Sequence, residues 1–293
     1  MAATLLWGAT FVVIRDSLHV IAPVPLVCIR FVLASLVLIP LAAPRWRFFT
    51  RATVTGGALA GLCFAAGFVF QAIGLTRASA GSSAFLTCAG TLFAAFYAWP
   101  LLGQRPSLVL LQGVGLALAG SLLLSVVLSA PWRFGIGELW TLAGAAVFGL
   151  QVVVLARSAP RADGLVLATV QALTIALVLL PFAGGALREI GALRAPDLAR
   201  LGYLVVAGSL VAPLLQIFAQ GRLPAGRIAL LFALEPVFAL AFALTLGGER
   251  FSPRWWLGAG LILAGVVRVE ANAARGSRDR AGLAEAPSSR PAI

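Results

Sequence analysis

Apolar stretches of about 20 residues follow one another from Met1 to about Glu270 with little between them. A helix rising ~1.5 Å per residue needs that length to cross ~30 Å of hydrocarbon. Charges, Pro and Gly divide the chain into ten such segments, at about 2–18, 23–43, 53–74, 81–102, 107–128, 135–156, 164–184, 198–219, 226–247 and 254–270. The composition agrees: 61% of residues are apolar, 11% are charged, and the mean hydropathy is +1.01. A soluble domain runs at about 45–50% apolar and about 25% charged. A water-soluble enzyme, a disordered chain and a soluble protein on a single anchor are therefore excluded. A porin-like barrel would alternate apolar and polar residues in ~10-residue segments, whereas Leu110–Leu128 is continuously apolar. The expected fold is an all-α polytopic membrane protein with ten transmembrane helices.

The formal net charge is +12, and all 22 basic residues are Arg. They stand singly between apolar segments, which suits loops meeting anionic lipid headgroups and not a nucleic-acid face. The bilayer and a small-molecule substrate are the partners expected, with no nucleic acid. Cys28, Cys63 and Cys88 each sit inside an apolar segment with no C-x-x-C spacing, so they read as small buried hydrophobes. Nothing calls for a cofactor or a metal. The first segment starts almost at Met1 with no basic region before it, so either this helix is short or the start lies upstream. Residues 271–293, rich in Arg, Ser, Pro and Ala, read as a disordered cytoplasmic tail.

The chain repeats itself. At an offset of 145, Gln71 falls on Gln216, Ala80-Gly81 on Ala225-Gly226, and Ala84 on Ala229. Gly103, Arg105 and Ser107 fall on Gly248, Arg250 and Ser252, and Gly113, Gly115 and Ala119-Gly120 on Gly258, Gly260 and Ala264-Gly265. Near the front of each half the offset is 141: Gly8 meets Gly149, Arg30 meets Gln171, and Pro40 meets Pro181. The halves are residues 1–128 and 135–270, each of five segments. Five is odd, so the second copy enters the membrane in the opposite orientation. Two inverted five-helix repeats are an architecture of many secondary transporters, which alternate access around a midplane site. Arg45, Arg47 and Arg51 place the second loop inside, so both termini are expected in the cytoplasm of a cell whose inner (plasma) membrane holds the chain.

Several stretches carry a family resemblance. They are "LLWGATFVVIR" at 5–15, "IRFVLASLVLIPLA" at 29–42, "ASAGSSAFLT" at 78–87 and "LGQRPS" at 102–107, then "LFALEPVFALAFALTLGGERFS" at 231–252 and "GAGLILAGV" at 258–266. Over about residues 1–270 the chain resembles the EamA-type domain of the drug/metabolite transporter superfamily. The resemblance implies ten helices, cytoplasmic termini and export of small metabolites or drugs. The chain departs from it in having Gln104 where Glu is common in the first Gly-Glu-Arg motif.

Polar groups inside the segments are few, and each must face a cavity or a partner. Glu235 is the only acid near the middle of a segment, and Pro236 after it denies the Phe232 carbonyl its helical bond. It is the candidate proton-coupling residue; a structural ion pair or a capped kink is the alternative. Arg30 sits at a depth within about 5 Å of it. It either pairs with Glu235 or binds a substrate carboxylate. Gln71, Gln151 and Gln216 are candidate substrate-binding amides, set against plain interhelical hydrogen bonding, which is the reading favoured for Gln171. Trp7 and Thr10, with Phe148 and Tyr97, can line an aromatic pocket or merely pack. Trp46, Trp132, Trp140, Trp255 and Trp256 read as interface anchors, and His19 as a loop residue. The small pairs Gly115/Ala119 and Gly260/Ala264 allow the fifth and tenth segments to pack together; a homodimer face is the competing reading.

These residues favour a secondary transporter exporting a small organic solute, with amino acids or their derivatives as the first guess. A permease subunit needing a partner ATPase and a channel are the alternatives, and the chain itself has no Lys for a phosphate-binding loop. An intramembrane enzyme would need a nucleophile with a base, or a cluster of acids and His, which one His and one mid-segment acid do not supply.

Overall fold

The computed structural model describes residues 1–78, 80–125, 135–245 and 254–285. Among them every element is helical. In chain order these are α1 (Ala2–Ser17), α2 (Pro23–Ala42), α3 (Arg51–Leu75), α4 (Ala80–Cys88), α5 (Gly90–Leu102), α6 (Leu108–Ser125), α7 (Ile136–Ser158), α8 (Gly164–Leu179), α9 (Ala186–Gly191), α10 (Ala195–Tyr203), a π-helical run (Leu204–Val211), α11 (Ala212–Gln220), α12 (Ala225–Phe232), α13 (Glu235–Thr245) and α14 (Arg254–Glu285). Eight helices or helix runs among the described residues are long and apolar enough to cross a membrane. The apolar helix Leu108–Leu123 is shorter, and α1 spans 16 residues.

Local sequence sets the ends. Thr50 caps α3 by accepting from the Thr53 amide at 3.2 Å. The Asp163 carboxylate caps α8, accepting from the Leu165 and Val166 amides at 3.0 and 3.1 Å. Proline opens α2, where its missing N–H costs nothing. Gly103 closes α5 in the left-handed region, φ 69°. The π-helical run stands just before Pro213, whose ring and missing N–H oppose an ordinary turn onto the Ser209 carbonyl.

Two segments are broken. The fourth divides into α4 and α5 at Ala89, and the ninth into α12 and α13 at Ala233 and Leu234. At the first break the Ala89 amide donates to the Leu86 carbonyl at 3.1 Å, while those of Leu92 and Phe93 donate to the Ala89 carbonyl at 3.0 and 3.2 Å. At the second the Leu234 amide donates to the Leu231 carbonyl at 3.2 Å, while those of Val237 and Phe238 donate to the Leu234 carbonyl at 3.0 and 3.2 Å. Each partner in one set lies 145 residues from its counterpart in the other.

The same correspondence governs packing. α1 lies against α13, and α7 against α5. A methyl group on Gly8 of α1 would sit 2.7 Å from Phe238 Cβ and 3.1 Å from the Glu235 carbonyl oxygen. One on Gly149 of α7 would sit 2.8 Å from Phe93 Cβ and 2.9 Å from the Gly90 carbonyl oxygen. α2 packs on α8, α3 on α7 and α8, and α6 on α14. The α6–α14 contact uses other glycines than the expected ones. Gly113 faces Gly265, and Gly120 faces Gly258. Gly115 and Gly260 have open space where a side chain would go, and Ala119 and Ala264 are exposed. The small-residue pairs named from the sequence therefore lie on the outer face of this helix pair. Residues seven apart, not four, form its seam.

The last helix also runs further than expected. It continues to Glu285, through residues 271–285 that the sequence reading placed in a disordered tail. Ala and Arg, abundant there, are strong helix formers.

Candidate functional site

The breaks in α4–α5 and α12–α13 face a single cavity. Its volume is about 70 Å³. Thr87, Cys88, Gly90 and Thr91 come from the first break, and Phe232, Glu235 and Pro236 from the second. α1 supplies Trp7, Thr10 and Phe11; α3 supplies Phe64, Phe68 and Gln71; α7 supplies Phe148 and Gln151; α11 supplies Gln216.

The aromatic rings form a connected wall. Trp7 meets Phe64 and Phe232 edge to face, with ring centroids 6.2 and 5.3 Å apart. Phe148 meets Phe64 and Phe68 in the same manner at 5.8 and 5.2 Å. These separations lie in the range where aromatic pairs attract beyond their buried area. The Trp7 indole N–H donates to the Gly208 carbonyl at 3.0 Å, which ties the wall to the π-helical run.

The amides form a relay. Gln216 Nε2 donates to Gln151 Oε1 at 2.9 Å, and Gln151 Nε2 donates to Gln171 Oε1 at 3.3 Å. Gln71 Nε2 donates to Thr87 Oγ1 at 3.2 Å. Gln151 and Gln216 are fully or almost fully buried, and Gln216 Oε1 has no hydrogen-bond partner. Glu235, the first residue of α13, is half-buried beside the cavity. Its place in the first turn lets the carboxylate face the positive end of that helix.

Of the seven residues singled out from the sequence, Trp7, Thr10, Gln71, Gln151, Gln216 and Glu235 line this cavity, and Arg30 does not. Arg30 is 1% exposed. Its Nε donates to Ser209 Oγ at 3.0 Å, and its guanidinium lies over the Phe68 ring at 5.1 Å and the Phe31 ring at 5.9 Å. Its Nη2 has no hydrogen-bond partner, and no ion pair to Glu235 occurs among the described residues. Matching depth allowed that pair; the side chain instead runs to the junction of α2, α3 and the π-helical run, outside the cavity lining.

Phe148 stands in the wall, while Tyr97 stacks on Phe93 at 6.1 Å, outside the lining. Cys88, read from the sequence as a small buried hydrophobe, is a cavity residue. Phe11, Phe64, Phe68, Thr87, Thr91 and Phe232 were not anticipated. The repeat carried a usable signal for some of them, since Cys88–Thr91 stand 145 residues before Ala233–Pro236. Gly248, Glu249 and Arg250, Trp132 and the Trp255 side chain lie outside the described residues.

Known proteins agree with this architecture. A curated relative from Archaeoglobus fulgidus, described as an uncharacterized transporter, is 27% identical over 267 residues, spanning 90% of this chain and 82% of that protein. A crystal structure of another protein superposes with a TM-score of 0.75 over 94% of this chain and 96% of that one; at 19% identity it shows the fold alone. The model of the EamA-like transporter family matches residues 1–126 and 135–269. Apolar helices long enough to span a bilayer, two matched halves and this family match make one case: the chain is a multi-pass membrane protein and belongs to the EamA-like transporter family.

Proposed function

We propose that the chain is a secondary transporter that moves a small organic solute outward across the inner (plasma) membrane by alternating access around this cavity. The observation that carries the reading is the meeting of two broken, repeat-related helices at one aromatic and polar cavity. Broken helices at a repeat interface expose backbone and side-chain groups to a solute while the intact helices around them carry the motion.

On this reading α1 and α6 join the eight longer spans, giving ten crossings in two inverted five-helix repeats. The matched contacts of Gly8 and Gly149 support it, because exchanging the halves exchanges those contacts. Both termini are cytoplasmic, with Arg45, Arg47 and Arg51 on the inner side. Glu235 couples transport to protons, since it is the charged member of the described lining and an intramembrane acid is by default a functional group. The glutamines keep amino-acid derivatives among the candidate solutes, while Arg30 no longer argues for a carboxylate.

Metabolites of cells and medium, compared between wild type and Glu235→Gln at matched membrane expression, test the reading. Wild type should build up a metabolite outside, and the variant, which cannot carry the proton, should lower that export by at least about tenfold. Export by Glu235→Gln that still follows the proton gradient overturns the coupling role. A medium unchanged by wild type, in cells whose cytoplasm contains the candidate amines and amino acids, overturns export.

A further inference from the structure

We propose that the cavity recognises its solute through a positively charged amine carried on an aromatic or apolar body. The proposal deepens the transporter reading and rests on it. It comes from the one charge in the described lining and the aromatic walls around it.

Each cavity amide gives one N–H bond inside the protein. Gln216 gives its Nε2 to Gln151, Gln151 gives its own to Gln171, and Gln71 gives its own to Thr87. Among the lining groups without a hydrogen-bond partner, the Thr91 hydroxyl can donate or accept, while two only accept: the buried Gln216 Oε1 and the Glu235 carboxylate, which has no hydrogen bond or ion pair among the described residues. An ammonium group carries N–H donors and no acceptor, so it complements both. A half-buried carboxylate without a partner in an aromatic cavity is costly, and a cationic ligand lowers that cost.

The walls point the same way. Trp7, Phe64, Phe68, Phe148 and Phe232 ring the space around Glu235. Aromatic faces attract cations, more so where water is excluded, and they pack an aromatic body equally well. No Arg lies among the described lining residues; Arg30 is outside it, over the Phe68 ring. A zwitterionic amino acid would bring a carboxylate with no cation to meet it. The decarboxylated amine should therefore be preferred to its parent amino acid.

The full chain in proteoliposomes tests this with three probes that share one ring: 2-phenylethylamine, phenylalanine and 3-phenylpropionate. Saturable counterflow and quenching of Trp fluorescence report transport and binding. The amine should be favoured over the other two by about 30-fold, because each of them brings a carboxylate that finds no cation in the site. Glu235→Gln should weaken amine binding by about the same factor, while Glu235→Asp, which keeps the charge, should retain most of it. Thermal unfolding of both variants checks that they fold. Equal binding of amine and phenylalanine, or amine binding unchanged in folded Glu235→Gln, overturns the proposal. Transport of phenylalanine or phenylpropionate in place of the amine also overturns it, yet leaves the transporter reading standing. Wild type that moves none of the three overturns the amine class, and metabolite export then decides the transporter reading separately.

Discussion

The two helix breaks at the cavity are built alike and equipped differently. Their hydrogen bonds match partner for partner at an offset of 145, and each is met by a glycine of the opposite half, Gly149 at the first and Gly8 at the second. Yet Gly90 and Thr91 stand in the first break where Glu235 and Pro236 stand in the second. The first helix breaks without a proline, so Pro236 is not what makes a break here; the close seat against a glycine is the feature both share. Backbone geometry is thus common property of the two halves, while the charge belongs to one. The polar relay divides in the same way. Thr10 and Arg30 occupy the first-half places that Gln151 and Gln171 occupy in the second, and only Gln71 and Gln216 are alike.

Among changes that compare the two breaks, the largest effect should come from the glycines. Gly8→Ala and Gly149→Ala should each lower stability by about 1–3 kcal/mol, because the added methyl meets backbone that cannot yield. Gly115→Ala and Gly260→Ala, which point into open space, should stay within about 0.5 kcal/mol. Reversible unfolding in mixed detergent micelles measures all four. A large cost at Gly8 with none at Gly149 would break the equivalence of the two seats.

Thr91→Pro places at the first break the residue that the second already has. The Thr91 amide lies at the start of α5, where no helical bond is lost. The cost should stay below about 1 kcal/mol, against about 3 kcal/mol for Val152→Pro inside α7. If both prolines cost the same, the first break is a continuous helix under ordinary conditions. The smallest effect belongs to the relay. Gln216→Leu removes one interhelical hydrogen bond, and in a membrane that should cost about 0.6 kcal/mol. A loss several times larger would mean that the relay holds the second half together in a way the first half does without.

Segment lengths and the repeat made the helical architecture legible, because about 20 apolar residues have few uses other than crossing a bilayer. The rarity of polar groups made much of the cavity legible too: an amide or acid in a membrane segment must face something, and Gln71, Gln151, Gln216 and Glu235 face each other's space. What escaped the sequence was direction. Helices that are apolar nearly all round carry no stripe to say which way they turn, so Gly115 and Gly260 looked as good for the α6–α14 seam as Gly113 and Gly258. Arg30 shows the same limit. Its depth was readable, but which neighbour a long side chain leans on is set by tertiary packing. The aromatic wall stayed hidden because 18 Phe residues spread through the chain make no single one stand out.

The seat of Gly8 also sets an order in time. α1 is made well before the surface it packs on, since that surface, Glu235 to Ala239, belongs to α13. About 230 residues separate them, and at ~5–20 residues per second a ribosome needs roughly 12 to 46 seconds to make that stretch. For that long α1 lacks the partner it has in the folded protein. The two halves are therefore interlocked partners that mature together, and the first turns of α13 complete the seat of α1.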